Sequence, residues 1–314
     1  MNQDSVASPQ MPRYVELTTK LAHRIAGGEL AAGSPLPSVR DLAAAEATTA
    51  STVTRAYREL AEAGVIVVTP RRSARVAPHG DVAARSLLRG GERFRLAGSD
   101  DPALSLLMAR MPEAVAPVGA SGSYRGLVAL WSGQADGASI HLRHRDGEYN
   151  APFARGVLAG RDPVIVHLWR REQGLVVPHG NPRSVERIAD LRTLRVARRP
   201  TGTGTRTLLD RMLLDARLEP DQISGPTVEL HLDVALAVAT GEADAGLGLR
   251  SAATRLGLDF VPLYWEPFEI ATTREQSGGV RPLLAALADA TLADQISALG
   301  GYDLAGAGQL VEVG

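Results

Sequence analysis

From Phe94 onward the sequence alternates short apolar runs with helical stretches, and that alternation constrains the fold more than any other feature. The runs Phe94–Ala97, Ala114–Val118, Ala138–Leu142, Val164–Leu168, Leu175–Pro178, Leu194–Ala197, Thr227–Leu230, Ala243–Leu249 and Phe260–Tyr264 read as strands. Between them, helical spacing joins Leu104, Leu107 and Met108, then Leu127 and Leu130, then Leu208, Leu209, Met212 and Leu213, and a further helix is read at about Val234–Thr240. Repeated strand–loop–helix units predict α/β layers with mostly parallel strands. Residues 93–314 are too many for one small sheet, so two α/β lobes are expected.

Three strand-to-helix loops are rich in Gly, Ser or Thr: Gly98-Ser99, Gly119–Ser123 and Thr201–Thr205. Free N–H groups at a helix start attract an anion, and hydroxyls add donors. Each helix end contributes only about 0.3–1 kcal/mol, so several must converge for useful affinity. In open α/β sheets ligands sit at the C-terminal ends of strands, which brings such loops together. Ser99, Ser121, Ser123, Thr203 and Thr205 are therefore candidate ligand contacts, with plain helix capping as the alternative for each. Arg206 could clamp an anion bidentately or lie on its helix surface. Glu148, in the polar run Glu148-Tyr149-Asn150, and His231, at a helix start, complete the set; Asp244 reads as a cap or a bridge between lobes.

The first eighty residues follow a different period. Leu17, Leu21 and Ile25 recur every four residues, and Gly27-Gly28 stops that helix. Pro35 and Pro37 keep the chain extended up to Ser38, which can cap a short helix from Val39 to about Ala45 with Asp41 three residues on. A third helix, about Ala50–Ala63, buries Val53, Ala56, Tyr57 and Leu60. Two short strands, Val65–Thr69 and Ala74–Ala77, flank the tip Pro70-Arg71-Arg72-Ser73. This is the layout of a winged helix. The other face of the third helix carries Ser51, Thr52, Thr54, Arg55 and Arg58, side chains suited to phosphates and base edges in a major groove. Arg40 would lie near the DNA backbone, and Arg71 and Arg72 could reach a flanking phosphate or minor groove.

The segments GELAAGSPLPSVRDLAAA and STVTRAYRELAEAGVI resemble the DNA-binding domain of the GntR family of bacterial transcription factors, over about residues 14–78. Further on, GSYRGLVALWSGQADGASIHL, GEYN, RREQGLVVPHGNP, RRPTGTGTRTLLD and VALAVATGEADAGLGL resemble the periplasmic-binding-protein-like domain of some bacterial regulators, a domain related to molybdate-binding proteins. That resemblance spans roughly residues 94–275 and implies two lobes around a ligand cleft. Where the family carries Asn-Arg-Gln before the TGTGTR-like loop, this chain has Arg198-Arg199-Pro200. The family's threonine beside the histidine is Leu230 here.

Composition narrows the chemistry. Cysteine is absent, and Lys20 is the single lysine among 34 basic side chains. A P-loop lysine and a Schiff-base cofactor in the second domain are thereby excluded. The net charge of −1 divides into +2 over residues 1–80 and −3 beyond, a basic reader and a more acidic sensor. His141 and His144 have metal-like spacing but no supporting carboxylate pattern, so no metal and no cofactor are expected.

The expected molecule is a one-component regulator. Residues 1–13 are a disordered terminus, 14–78 a winged helix-turn-helix, 79–92 a linker and 93–314 a two-lobed effector domain. A cytoplasmic homodimer binds double-stranded operator DNA and responds to a small-molecule or oxyanion effector, with no membrane partner. The alternatives are an enzyme acting on the same anion, through Glu148, His231 and Asp244, or a DNA-binding protein whose second domain is a ligand-free interaction module.

Overall fold

The structure, a computed structural model, describes residues 12–69, 73–90 and 92–313, without the side chains of 120 and 121. Two compact units emerge: one runs to Glu92 and takes in Ser277–Arg281, the other holds Arg93–Gln276 and the chain from Pro282 on.

The first unit contains α1 (Arg13–Ala26), α2 (Val39–Ala45), α3 (Ala50–Glu62), an antiparallel hairpin of β1 (Ile66–Val67) and β2 (Arg75–Val76), and α4 (Gly80–Leu88). Ser38 Oγ accepts from the Asp41 amide at 3.2 Å and caps α2; Thr49 Oγ1 does the same for α3 through Thr52. The stripe Val53, Ala56, Tyr57 and Leu60 is buried in one core with Leu17, Leu21 and Ile25 of α1. Each such aliphatic or aromatic burial contributes about 1.5–3 kcal/mol. The Tyr57 hydroxyl donates to the Pro37 carbonyl at 2.7 Å, which anchors the turn before α2. Lys20 pairs with Glu46 at 2.7 Å on the surface.

Residues 79–92, expected as a linker, differ from that reading. Most of them form α4, whose Ala83 and Ala84 are buried in the core of the winged helix. Arg85 holds α4 in place, donating to the Ala26 carbonyl at 2.6 Å and pairing with Asp81 at 2.8 Å.

The second unit contains β3 (Phe94–Gly98), α5 (Pro102–Ala109), β4 (Val115–Ser121), α6 (Ser123–Trp131), β5 (Gly137–Ile140), α7 (Ala151–Val157), β6 (Pro163–Val177) and β7 (Val196–Ala197). It continues through α8 (Gly204–Asp215), α9 (His231–Ala239), β8 (Ala245–Leu249), α10 (Arg250–Arg255), β9 (Asp259–Thr273), α11 (Arg281–Leu287, whose first residue clusters with the other unit), α12 (Ala290–Ala298), β10 (Tyr302–Asp303) and β11 (Leu310–Glu312). Among the described residues these strands form one sheet, ordered β4-β3-β5-β9-β6-β8-β7, with β10 and β11 also on β6.

The architecture is the two-lobed α/β domain expected. Parallel strands β3, β4 and β5 make the first lobe, and β7 and β8 the second. The antiparallel pair β6 and β9 runs through both, meeting β5 at residues 269–272 and β8 at residues 173–176. Fifteen residues at about 3.3 Å each reach roughly 50 Å, far enough to serve both lobes.

Three expectations about strands need correction. Val164–Leu168 and Leu175–Pro178 are parts of the single strand β6, and Phe260–Tyr264 is only the start of β9. The polar run between the first two does not break the strand, because Arg171, Glu172 and Gln173 all find partners while Arg170 faces solvent. Thr227–Leu230 is not a strand; only Thr227 bridges, to Arg198. No described helix is long and apolar enough to cross a membrane.

Candidate functional site

In the winged helix, α3 presents Ser51, Thr54, Arg55 and Arg58 to solvent, with Thr52 half-buried, and Arg40 is exposed in the first turn of α2. The Thr52 hydroxyl is 2.9 Å from Thr49 Oγ1, and Thr54 donates back to the Ala50 carbonyl at 2.8 Å. Arg55 is held rather than free. Its guanidinium carbon lies 3.7 Å from the centre of the Tyr14 ring, and Nη2 donates to the Tyr14 hydroxyl at 3.0 Å. The sequence offered no reason to single out Tyr14, because it precedes the apolar stripe of α1. Arg71 and Arg72 lie outside the described residues.

In the second unit, four helix starts meet the middle of β6 and β9. Thr203 caps α8, accepting from the Arg206 amide, and Asp101 caps α5, accepting from the Ala103 and Leu104 amides. Ser123 opens α6 and His231 opens α9. The lobes touch here: a Cβ on Gly204 would fall 2.5 Å from His141 Cε1, and one on Gly122 would fall 3.2 Å from Thr203 Cγ2. Ser99 and Ser123 are buried with their hydroxyls 2.8 Å apart, and Ser123 Oγ also accepts from the His141 amide at 3.2 Å.

The floor of the cleft is ionic. Arg171 is fully buried; Nη1 donates to Asp101 at 2.7 Å and Nε to Glu266 at 2.9 Å. The same Glu266 oxygen accepts from Gln173, which in turn reaches Thr205 Oγ1 at 3.3 Å, and it lies 3.0 Å from His141 Nδ1. At one wall, Arg199 pairs with Asp100 at 2.6 Å, and the His231 amide donates to the other Asp100 oxygen at 3.1 Å. Tyr302 donates to Asp101 at 3.2 Å.

Several polar atoms here are buried without a hydrogen-bond partner: both ring nitrogens of His231, Arg171 Nη2, Arg199 Nε and Gln173 Oε1. Unsatisfied buried groups of this kind cost about 1–3 kcal/mol each, so their grouping here is energetically expensive for the chain alone. Burial pushes the His231 imidazole well below its usual range, and the Arg199 and Arg171 charges push it further. Burial alone would raise Glu266, but the His141 and Arg171 charges beside it outweigh that and hold its carboxyl at about 2. Burial raises Asp101, against the pull of Arg171.

Neutral burial of His231 has a consequence for stability. Below its usual value of 6.5 the unfolded chain takes up a proton that the folded state refuses. Stability therefore falls on acidification, by about 1.4 kcal/mol per pH unit for each such imidazole once it is protonated in the unfolded chain. Glu266 adds nothing until the pH falls below about 4.5, because above that it is ionised in both states. The unfolding temperature should drop between about pH 7 and 5, and His231→Gln should flatten that slope. An unchanged slope in the variant would place the proton uptake elsewhere.

Ser99, Ser123, Thr203, Thr205 and His231 are thus gathered at one place. Three other candidates are not. Glu148 is exposed on the turn at Gly147, where its carbonyl accepts from the His144 amide. Its neighbour Asn150 is the buried one, at φ +52, accepting from Leu142 and donating to Glu269. Arg206 lies along its own helix, pairing with Asp210 at 2.8 Å in an i,i+4 contact and donating to the Arg199 carbonyl at 3.5 Å, so its guanidinium is already engaged. Asp244 bonds Arg195 within the second lobe and bridges nothing across it. The side chain of Ser121 lies outside the described residues. Arg171, Gln173, Glu266, Asp101 and Arg199 were not singled out from the sequence. The signal for the first two was the charged run Arg170–Gln173 inside an otherwise apolar stretch.

Residues 104–288 match the PBP superfamily domain, and residues 13–76 match the bacterial regulatory proteins of the gntR family. The chain belongs to the PBP superfamily and carries a GntR winged helix at its N-terminus. It is similar to the uncharacterized protein YvgK of Bacillus subtilis (strain 168), 30% identical over 195 residues, 60% of this chain and 63% of that one. It is also similar to the HTH-type transcriptional regulator Rv1152 of Mycobacterium tuberculosis (strain ATCC 25618 / H37Rv), 42% identical over 55 residues, 18% of this chain and 46% of that one. The chain thus spans less than two thirds of the length of either relative. Among solved structures, an ancestral amino acid-binding protein, a precursor of cyclohexadienyl dehydratase, aligns with 17% identity and a TM-score of 0.47, over 68% of this chain and 96% of its own.

Proposed function

We propose that this protein is a one-component, cytoplasmic transcriptional regulator that binds operator DNA as a homodimer and responds to a small anion held between the lobes of its second unit. The observation that carries the reading is the group of buried, unpartnered donors where the two lobes meet, in a chain that also bears a DNA-reading helix. An anion suits the site. Arg171 Nη2 and Arg199 Nε offer charged N–H groups, the starts of α6 and α8 add their first-turn amides, and Asp100, Asp101 and Glu266 are already engaged. Binding rather than catalysis fits the hydroxyls. Ser99 and Ser123 face each other, Thr203 donates to the Pro200 carbonyl, and Thr205 meets Gln173. The oxyanions related to molybdate fall within this class. The ligand shifts operator affinity only as far as it binds one state of the protein better than the other.

Titration of the full chain with molybdate, sulfate and small carboxylates, read by tryptophan fluorescence, tests the site. Thr205→Ala should weaken any bound anion about two- to tenfold, the share of one hydrogen bond. Operator affinity measured with and without that anion tests the coupling. Chemical conversion of the anion during titration would favour an enzyme, and saturation that leaves operator affinity unchanged would refute regulation.

A further inference from the structure

Two cavities flank the contact between Asp100 and His231. The larger, about 450 Å³, has the acidic rim Asp100, Asp101 and Glu229 and no basic residue in its lining. The other, about 320 Å³, lies among α5, the start of α9 and α10. Its walls are apolar, including Pro102, Leu106, Leu230, Leu232 and Ala252. Leu230 and Leu232 remain 49% and 37% exposed there, apolar surface with nothing packed over it. Two polar features stand out against those walls. His231 is 1% exposed with neither ring nitrogen partnered, and Arg255 is an exposed guanidinium with no ion-pair partner among the described residues. The two carboxylates that also line the cavity are spoken for, Asp100 by Arg199 and Asp101 by Arg171.

We infer that the ligand of this unit is an organic carboxylate with an apolar body, its head group directed to Arg255 and its body lying against Leu230 and Leu232. The inference rests on reading this unit as a ligand-binding domain and narrows the class of ligand. A bare tetrahedral oxyanion uses the donors but leaves the leucines wet. A carboxylate with an aliphatic or aromatic body covers them, and the cavity volume is at the low end of those that enclose small organic ligands, roughly 300–1,000 Å³. Leu230 is then a specificity-determining residue. Arg255 supplies the charge and the forked N–H donors that a carboxylate accepts.

Isothermal titration of the full chain with acetate, hexanoate, benzoate and molybdate tests this. Hexanoate and benzoate should bind at least about tenfold more tightly than acetate, since each buried methylene contributes roughly fourfold. Leu230→Thr should remove about tenfold for hexanoate and benzoate and leave acetate unchanged. Arg255→Gln should weaken all three carboxylates by about tenfold. Both side chains are exposed, and an unfolding temperature no lower than that of the native chain verifies that the variants fold. Failure of hexanoate and benzoate to bind overturns the inference. If molybdate binds in that case, the anion-responsive reading stands without it. Binding that neither substitution alters also overturns the inference, because the ligand then sits elsewhere.

Discussion

Arg171→Ala is expected to cost about 3–5 kcal/mol of folding stability. Arg171 is wholly buried on β6, bonded to Asp101 and Glu266 and seated 4.4 Å over the Phe268 ring. Removing it strands two carboxylates in a region that water does not reach. A buried pair replaced as a unit by apolar residues is often neutral, but a pair broken on one side leaves an uncompensated charge. Asp101 also caps α5, so its loss of charge would loosen the start of that helix. The substitution removes one of the charges that keep Glu266 at about 2. That carboxyl should then titrate higher, so the stability that Glu266 gives up as the pH falls from about 4.5 to 2 should shrink relative to the native chain. Urea unfolding at several pH values measures both effects. A loss below about 1 kcal/mol would mean that water or a rearranged side chain replaces the guanidinium, contrary to the packing described.

Arg55→Ala should weaken operator binding by about 1–3 kcal/mol, several-fold to a hundredfold, and relax sequence preference. Stacked on Tyr14 and bonded through Nη2, the guanidinium leaves Nε and Nη1 without a protein partner among the described residues and would lose little freedom on binding DNA. Tyr14→Phe retains the stacking ring and should cost less than Tyr14→Ala. Arg40, at the start of α2, should act differently: Arg40→Ala should weaken all sequences alike and lower the salt slope by about one phosphate contact. A mobility-shift series across salt concentrations separates the two. An unchanged operator affinity in Arg55→Ala would remove α3 from the groove.

The winged helix was legible because its signals are local. The period of Val53, Ala56, Tyr57 and Leu60, the caps Ser38 and Thr49, and the two prolines before α2 act within a turn or two of themselves. Likewise the loops with Ser99, Ser123, Thr203 and Thr205 announced themselves by composition at helix starts. Glu148 and Arg206 misled because a polar side chain near a loop has local partners as well as distant ones. Glu148 sits on a tight turn, and Arg206 finds Asp210 one helical turn away.

Local sequence patterns alone specify a winged helix followed by an α/β unit, the hydroxyl-bearing helix starts of the second unit, and, through the lone lysine, a basic surface made almost wholly of arginine. The tertiary structure decided that β6 runs unbroken through both lobes, and with it the ionic floor. Arg171 meets Asp101 and Glu266 across 70 and 95 residues of chain. A charged run inside a strand reads as an interruption until its partners are known, because a lone buried charge is prohibitively costly and a compensated one is not. Compensation depends on strand register and lobe contact, which no local pattern of residues encodes.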